Sequence, residues 1–394
     1  MSERSVVIVS AKRTPIGAFQ GALSPLTAPQ LGAAAAKAAI EAAGIQAADI
    51  QETILGCVLP AGLGQAPARQ AALGAGVPIG TPATTINKMC GSGLKAVMMA
   101  ADQIRAGEAD IVLAGGFESM TNAPYLLPKA RGGYRMGHGE IIDHMFYDGL
   151  QSPFDGKLMG CFADATASKY NFTRAAQDAF AAESVRRAMQ ALEAGEFDGE
   201  VTPVTVKTRK GDTVIARDET PGTCDVSRIS SLKPAFGKDG TVTAASSSSI
   251  SDGAAALILM NEATAKARGL KPVARVLAYA SQAQEPEWFT TAPVGAIKKT
   301  LGKLGWKPHD ADLYEINEAF AVVTMATMRD VDIDAARVNV NGGACALGHP
   351  IGATGARIMT TLLHALRRRG GKRGIASLCI GGGEAVAMAI ELMP

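Results

Sequence analysis

Two kinds of apolar pattern alternate along this chain. Short continuous apolar runs are typical of buried strands, and apolar residues that recur every three or four positions are typical of helices with one buried face. The first part of the chain therefore predicts strands at Val6–Ser10, Thr53–Val58 and Asp110–Ala114, and helices at Thr27–Ala43 and Gly93–Ala106. This alternation indicates an α/β fold built from βα units.

The same order of elements recurs near the end of the chain. Helix, strand, helix and strand are predicted in turn at Pro293–Leu304, Leu313–Ile316, Gly355–Arg369 and Ile375–Ile380. Residues Ala48–Ile54 (ADIQETI) also align with Ala311–Asn317 (ADLYEIN). We interpret this as a duplication that makes two related core halves, with chance likeness between common α/β patterns as the alternative.

A segment without this pattern separates the two halves. It contains a Gly/Pro/Arg-rich stretch at Pro124–Gly139, a helix near Arg174–Ala194, a polar β-like stretch at Val201–Ala216 and small residues at Ala244–Ser251. We predict an N-terminal core half at 1–120 that is completed by about 251–272, an inserted loop domain at 121–250, and a C-terminal core half at 273–394. Inserted loops of this kind are frequently used to bind ligands.

Composition excludes several classes of protein. A formal net charge of +2 over 394 residues gives no reason to expect a nucleic acid or an anionic membrane as partner. The cysteines are scattered without CxxC pairs, so we expect reduced thiols, no disulfide framework and no metal site. The first residues run directly into a strand without a signal-peptide pattern, and we expect a cytoplasmic protein. The cysteines are Cys57, Cys90, Cys161, Cys224, Cys345 and Cys379.

Cys90 lies in the segment Asn87–Lys95 (NKMCGSGLK), a glycine-flanked turn before a predicted helix. The free N–H groups at a helix N-terminus stabilise a thiolate, and flanking glycines let another group approach the sulfur. We therefore expect Cys90 to be a nucleophile. The alternative is a small buried thiol with a structural role.

Two further motifs carry candidate chemistry near the C-terminus. His349 lies in Asn341–Gly355 (NGGACALGHPIGATG), where glycines and a following proline fix its turn, and a neutral imidazole there could accept a thiol proton. Cys379 ends a predicted strand in Ser377–Glu384 (SLCIGGGE), followed by backbone N–H groups able to face an oxyanion. The alternatives are a satisfied structural histidine and a core cysteine.

Asn317 follows the repeat strand in Tyr314–Phe320 (YEINEAF). Its amide could hold a water molecule or a carbonyl oxygen, and the alternative is a helix N-cap. Each motif is a moderate indication alone, but their joint occurrence is specific.

Taken together, NKMCGSG, NEAF, NGGACALGHPIGATGAR and LCIGGG resemble the thiolase family, and the resemblance covers essentially the whole chain in order. It is closest to the bacterial acetyl-CoA C-acetyltransferases and related β-ketothiolases. It implies a thiolase fold, in which two duplicated βαβαβαββ halves form five layers in the order α-β-α-β-α. It also implies a homo-oligomer, with Pro124–Gly139 similar to the segment that joins dimers into tetramers.

The resemblance implies a reversible Claisen condensation of two acetyl-CoA to acetoacetyl-CoA and CoA, in fatty acid metabolism or polyhydroxyalkanoate synthesis. Cys90, activated by His349, would carry the acyl group, and Cys379 would remove the α-proton of the second acetyl-CoA. His349 with a water held by Asn317 would form one oxyanion hole. The N–H groups of Cys90 and Gly381 would form the other. CoA thioesters are substrates here, so no cofactor is expected.

Contacts to CoA carry over less completely from the resemblance. The implied contacts are Leu150, Met159, Phe236, Ala244, Ser248, Phe320 and, less directly, Arg228 and Phe289. Three positions depart from the pattern of many biosynthetic members: Leu158 replaces a histidine, Pro221 replaces an arginine near the nucleotide, and Glu287–Thr290 (EWFT) is bulkier at the acyl pocket. Arg228 could substitute for the missing arginine.

Three other functions stay open on the sequence alone. A 3-ketoacyl-CoA thiolase of broader range would prefer longer acyl chains. A catalytically silent CoA-thioester-binding protein would not need the intact set of Cys90, Asn317, His349 and Cys379. A Cys-His-Asn hydrolase would release free acid, and it would leave Cys379 and the duplication without a role.

Overall fold

The computed structural model describes residues 4–209 and 211–394, and these residues form an α/β protein. The strands are β1 (Val6–Arg13), β2 (Gly17–Ala18), β3 (Glu52–Gly56), β4 (Ala83–Ile86), β5 (Ile111–Ser119), β6 (Tyr125–Leu126), β7 (Ile142–Asp143), β8 (Val204–Thr208), β9 (Gly211–Ile215), β10 (Ser251–Asn261), β11 (Ala274–Ala283), β12 (Leu313–Ile316), β13 (Arg373–Ile380) and β14 (Glu384–Leu392). The helices are α1 (Ala28–Ala43), α2 (Pro67–Gly74), α3 (Ser92–Ala106), α4 (Met159–Tyr170), α5 (Arg174–Glu193), α6 (Glu262–Ala267), α7 (Ala292–Leu304), α8 (Ala321–Val331), α9 (Ala344–Leu347) and α10 (Thr354–Arg369). Within the described residues, no helix is both long and apolar enough to cross a membrane.

The helix boundaries follow from local sequence. Helix α1 begins after Thr27, whose hydroxyl accepts from the N–H of Gln30 while the Gln30 side chain accepts from the N–H of Thr27. It ends at Gly44, which adopts a left-handed conformation with φ of 68°. Helix α3 ends in the same way at Gly107. The helices and strands predicted in both halves are therefore confirmed to within a few residues.

The two halves contain the same arrangement of strands. The N-terminal half has the order β4-β3-β5-β10-β1 and the C-terminal half has the order β12-β13-β14-β11, each with a parallel part and an antiparallel part. They meet where β1 pairs with β11 through two residue pairs, Val7 with Arg275 and Ile8 with Ala274. The predicted duplication is thus visible in the topology.

Helices cover both faces of each half, which gives the five layers that the family resemblance implies. Helices α1 and α2 cover the outer face of the N-terminal strands, and α7 covers the outer face of the C-terminal strands. Helices α3 and α10 pack against each other between the two sets of strands. This central layer matters for chemistry because Cys90 directly precedes α3 and His349 lies a few residues before α10.

The residue alignment of the repeat was wrong by two positions. Helices α1 and α7 end on left-handed glycines, Gly44 and Gly305, and each is followed by a capped 3-10 turn. The capping carboxylates are Asp49 in the first turn and Asp310 in the second. Asp49 therefore corresponds to Asp310 and not to Asp312, because the capped turn and not the letter match fixes the register.

Residues 121–250 form short elements beside the core. They include the hairpins β6–β7 and β8–β9, the helices α4 and α5, and a π-helical turn at Met145–Leu150. Helix α5 and the β-like stretch were predicted, whereas α4 was not. The insertion is anchored to β1 by the fully buried Arg13, which lies 2.6 Å from Glu200 and 2.7 Å from Asp218. The proposed domain boundaries at 120, 250 and 273 stay a prediction.

Candidate active site

A strained turn between β4 and α3 presents Cys90. Met89 adopts a left-handed conformation with φ of 46°, which is unfavourable for a residue with a side chain. Ser92 holds the turn, since its hydroxyl donates to the carbonyl of Met89 at 2.6 Å and accepts from the N–H of Lys88 at 2.9 Å. A Cβ at Gly91 would overlap the Ile380 side chain, which would have to shift to make room for it. The turn leaves Cys90 partly exposed at the start of α3.

The surroundings of the Cys90 thiol act on its pKa in opposite directions. Burial raises the pKa of Cys90 to about 11, although the N–H groups of Gly381 and Cys90 favour the thiolate. The expected stabilisation by backbone N–H groups is present, but desolvation outweighs the two N–H groups. A nucleophilic role for Cys90 needs a base that removes its proton.

His349 is placed in a buried turn that leaves one ring nitrogen free. The preceding Gly348 has a φ of 103°, and a Cβ there would collide with Ser251. Nδ1 of His349 lies 2.6 Å from the hydroxyl of Thr354, whereas Nε2 is buried and has no hydrogen-bond partner among the described residues. Burial, with the nearby charge of Arg357, lowers the pKa of His349 to about 3. The ring is therefore neutral and can accept a proton.

Cys379 is the next-to-last residue of β13 and is fully buried. Burial, and secondly the proximity of Cys90, raises the pKa of the Cys379 thiol well above its ordinary value. The strand then turns into β14 through Gly382 and Gly383, both left-handed. Because the N–H of Gly381 points at the Cys90 sulfur, the turn after Cys379 brings both thiols to one place.

Asn317 directly follows β12, the strand parallel to β13, and its N–H donates to the carbonyl of Ser377 at 3.0 Å. Neither Oδ1 nor Nδ2 of its buried amide has a hydrogen-bond partner among the described residues. Burying two such atoms unpaired costs about 1–3 kcal/mol each, so a bound water or ligand is expected to satisfy them. The N-cap alternative was wrong, because α8 begins four residues later and is capped at Phe320.

A cleft of about 440 Å³ opens beside Met89 and Gly381, which neighbour Cys90 and Cys379 along the chain. Met89 and Gly381 line it from the core, and residues of the insertion line it from the other side. The insertion residues that line it are Tyr147, Asp148, Gly149, Gln151, Ser152, Pro153, Phe154, Gly156, Met159 and Phe162. The insertion therefore forms one wall of the cleft.

Most of the residues named as CoA contacts gather beside the two thiols. Met159, Phe236, Phe289 and Phe320 pack in one apolar cluster with Cys379, in which the rings of Phe236 and Phe320 meet edge to face at 5.8 Å. Leu150 packs beside Cys90 in a neighbouring cluster.

Three of the named CoA contacts are not members of these apolar clusters. The hydroxyl of Ser248 donates to the carbonyl of Ala319 at 3.1 Å. Ala244 and Arg228 are exposed, and neither is among the residues that line the cleft in the described part of the chain. The role of Arg228 in nucleotide binding stays a prediction.

The two bulky aromatics of the acyl segment point in different directions. Trp288 stacks under Lys169, whose Nζ lies 3.7 Å from the ring centroid. Phe289 is 3% exposed and meets Phe162 edge to face at 6.2 Å. Phe289 is therefore the one that packs in the apolar cluster with Cys379. Leu158 stands at the N-cap of α4 without a side-chain cap, and Pro221 is buried at the start of a 3-10 turn.

Sequence reasoning missed Glu118, which joins the parts of the site. This fully buried carboxylate accepts from the N–H groups of Val58 at 2.9 Å, Leu59 at 3.1 Å and Gly352 at 2.9 Å. It thereby fastens the segment after β3 to the loop that carries His349. Burial raises the pKa of Glu118 to about 7. The sequence gives one indication of this role, because Glu118 is an acidic residue inside the otherwise apolar strand β5.

Comparison with known proteins gives concordant results. The model described as "Thiolase, N-terminal domain" matches residues 6–263, and the model described as "Thiolase, C-terminal domain" matches residues 270–392. The chain is 51% identical to an acetyl-CoA acetyltransferase of Pseudomonas aeruginosa over 390 residues, covering 98% of this chain and 99% of the relative. It is 50% identical to one of Cupriavidus necator over 388 residues, with 98% and 99% covered. The crystal structure of the Bacillus anthracis acetyl-CoA acetyltransferase superposes with a TM-score of 0.97 at 43% identity, covering 99% of each chain.

Proposed function

This chain belongs to the thiolase family, and we propose that it condenses two molecules of acetyl-CoA to acetoacetyl-CoA and CoA, and catalyses the reverse thiolysis. The observation that carries the proposal is the convergence of two thiols. The Cys90 sulfur receives the N–H of Gly381, two residues beyond Cys379. One thiol can carry an acyl group while the other stands next to the carbon that reacts.

In the first step, Cys90 is acylated. Nε2 of His349 accepts the Cys90 proton, and the resulting thiolate adds to the carbonyl carbon of acetyl-CoA. The C–S bond to CoA then breaks, and the CoA thiolate takes the proton of Cys379 as it leaves, while His349 keeps the proton of Cys90. The neutral imidazole with a free Nε2 supports the base role, and the raised pKa of Cys90 explains why a base is required.

In the second step, Cys379 acts as the base. Its thiolate, formed when its proton went to the departing CoA, removes a proton from the α-carbon of a second acetyl-CoA, and the carbanion attacks the acetyl group on Cys90 to form the new C–C bond. The C–S bond to Cys90 then breaks, and the Cys90 sulfur takes its proton back from His349. An α-C–H is a weak acid, so a strongly basic thiolate is suited to the task. Acylation also prevents Cys90 from becoming a thiolate beside Cys379, and the charge of such a thiolate is one of the two causes that raise the Cys379 pKa. Proton removal is therefore favoured after the acyl-enzyme has formed.

Both steps place negative charge on a thioester oxygen, which needs hydrogen-bond donors. The N–H groups of Cys90 and Gly381 are assigned as one pair of donors, because they lie beside the Cys90 sulfur and hence near the acyl oxygen that this sulfur would carry. A water held by the amide of Asn317, together with His349, is the other. The unsatisfied buried polar atoms of Asn317 and His349 support this second assignment.

Steady-state kinetics tests the proposal. We expect condensation of acetyl-CoA and thiolysis of acetoacetyl-CoA, with both lost in Cys90→Ser. Thiolysis of 3-ketohexanoyl-CoA and longer substrates tests the second candidate, a broader 3-ketoacyl-CoA thiolase. The buried Phe289 favours short chains, and a strong preference for long chains would defeat the acetyl-specific proposal. Release of free acetate without CoA-dependent condensation would instead indicate a hydrolase, and binding without turnover would indicate a silent CoA-thioester-binding protein.

We propose that the enzyme is a homo-oligomer, with a dimer of dimers expected from the family resemblance. Exposed apolar residues in the segment of Pro124–Gly139 support this, namely Tyr125, Leu127, Tyr134 and Met136. Light scattering that shows a monomer would contradict it. The cytoplasmic location and the lack of a resident cofactor stay predictions, the first supported by six thiols that form no disulfide.

A further inference from the structure

Thr354 contacts the His349 ring on the side opposite the free nitrogen. It is the first residue of α10, and its side chain is fully buried. Its Oγ1 lies 2.6 Å from Nδ1 of His349 and 2.9 Å from the carbonyl oxygen of Pro350. A β-branched side chain has few rotamers in a helix, so the hydroxyl is held in this position.

Counting protons assigns the tautomer of the ring. A hydroxyl has one hydrogen to donate, and the Thr354 hydroxyl directs it to the carbonyl of Pro350. A lone pair of the hydroxyl oxygen then faces Nδ1, so both contacts are hydrogen bonds only when Nδ1 carries the imidazole hydrogen and donates it to Thr354. Nε2 is left with a lone pair, in a buried position with no hydrogen-bond partner among the described residues.

We propose that Thr354 is a positioning residue, whose hydroxyl selects the His349 tautomer in which the Nε2 lone pair can accept the Cys90 proton. This inference rests on the proposed function, in which His349 is that base. With the opposite tautomer, Nε2 would carry a hydrogen instead of a lone pair, and it could not accept the Cys90 proton. The low pKa of His349 keeps the ring neutral, so the choice lies between two neutral tautomers.

Replacement by valine removes the hydroxyl and keeps the shape of the side chain. In Thr354→Val, Nδ1–H has no acceptor, the tautomer preference is lost and the ring is less firmly oriented. We expect kcat for condensation and for thiolysis to fall about tenfold to a hundredfold, since positioned base catalysis contributes about 10²–10⁴. KM for CoA should change by less than about twofold, because CoA binding does not involve the hydroxyl.

Two variants serve as controls. Thr354→Ser restores the hydroxyl, and kcat should return to within about threefold of the wild type. Thr360→Val removes a matching bond in the same helix, where a buried threonine donates to the carbonyl of Ala356 at 2.9 Å, far along α10 from His349. It reports the effect of losing such a bond on folding alone, and its kcat should be unchanged. Thr354→Ala replaces the valine variant if that variant does not fold.

The tautomer is measured directly by nitrogen NMR of protein labelled with ¹⁵N-histidine, with the His349 signals assigned from their loss in His349→Asn. We expect Nδ1–H and a bare Nε2 in the wild type and in Thr354→Ser, and a mixture in Thr354→Val. An active wild type with the hydrogen on Nε2, or a valine variant with unchanged tautomer and kcat, would overturn the role of Thr354. A wild type that holds Nδ1–H but neither condenses nor thiolyses would overturn the proposed function and the role of Thr354 together.

Discussion

Gly93 lies in α3, where this helix contacts the loop that carries His349. Replacement of Gly93 by alanine tests how closely α3 and this loop must approach each other for catalysis. A Cβ at Gly93 would lie 2.7 Å from the backbone nitrogen of Ala356 and 3.1 Å from the carbonyl oxygens of Ala353 and Gly352. All three are backbone atoms, which cannot rotate aside. The new methyl group must therefore push the loop and α10 away from α3.

The size of the displacement follows from these distances. Ordinary van der Waals contact begins at 3.4 Å, so the contact at 2.7 Å must lengthen by 0.7 Å (3.4 minus 2.7). A misplacement of about 1 Å of a catalytic group costs on the order of a hundredfold in rate. We expect kcat of Gly93→Ala to fall about tenfold to a hundredfold. Overpacking should also lower the free energy of unfolding by about 1–3 kcal/mol.

The assay is thiolysis of acetoacetyl-CoA, with kcat normalised to the folded fraction from urea denaturation. Gly302→Ala is the matched control, because Gly302 lies in α7 and a Cβ there meets no atom within 4 Å. It should leave kcat unchanged and stabilise the protein by about 0.5–1 kcal/mol, the usual gain of alanine over glycine in a helix. A folded Gly93→Ala variant with the kcat of the wild type would refute the claim that this contact sets the distance between Cys90 and His349.

Two further predictions concern the walls and the supports of the site. Phe289→Leu should widen the acyl pocket and raise kcat/KM for 3-ketohexanoyl-CoA relative to acetoacetyl-CoA by about tenfold. The reason is that one or two methylene groups are worth about 1–3 kcal/mol in a pocket. An unchanged ratio would show that another residue limits the acyl-chain length. Glu118 has a folded-state pKa of about 7, above the 4.5 of the unfolded chain, so its contribution to stability is present below about pH 4.5 and is lost as the pH rises through about 7. The difference in unfolding free energy between wild type and Glu118→Gln should therefore change over this window, and a constant difference in urea titrations at several pH values would contradict the raised pKa.

The two core halves could be predicted from the sequence because their elements are long and strongly periodic. Their boundaries carry local indications, such as Thr27 with Gln30 at the start of α1 and glycines at the helix ends. Helix α4 was missed because its burial depends on tertiary packing. Its apolar residues pack against the aromatic cluster around Phe289, which is distant in the sequence. The alignment of the two repeats was offset because it matched identical residues. The true register is set by the capped turns that contain Asp49 and Asp310, which only the backbone structure shows.

The catalytic set could be named from short motifs, but its electrostatics could not. The helix N-terminus favours a thiolate at Cys90, whereas burial has the larger effect and raises the pKa of the thiol. The tautomer of His349 depends on Thr354, five residues away, and on the direction of one hydroxyl. The role of Glu118 depends on three N–H groups from two distant segments. Such features follow from distances in the folded chain, which no single motif encodes.

The central claim is that Cys90 carries the acyl group and Cys379 takes the α-proton, and peptide mass spectrometry of Cys379→Ser after mixing with acetyl-CoA tests both parts at once. Trypsin separates the two positions, because Cys90 lies in the peptide Met89–Lys95 and residue 379 lies in Gly374–Pro394. We predict an acetyl group on Met89–Lys95, release of one CoA per site and no acetoacetyl-CoA. Acetylation of any other peptide, or condensation by Cys379→Ser at the rate of the wild type, would contradict the account.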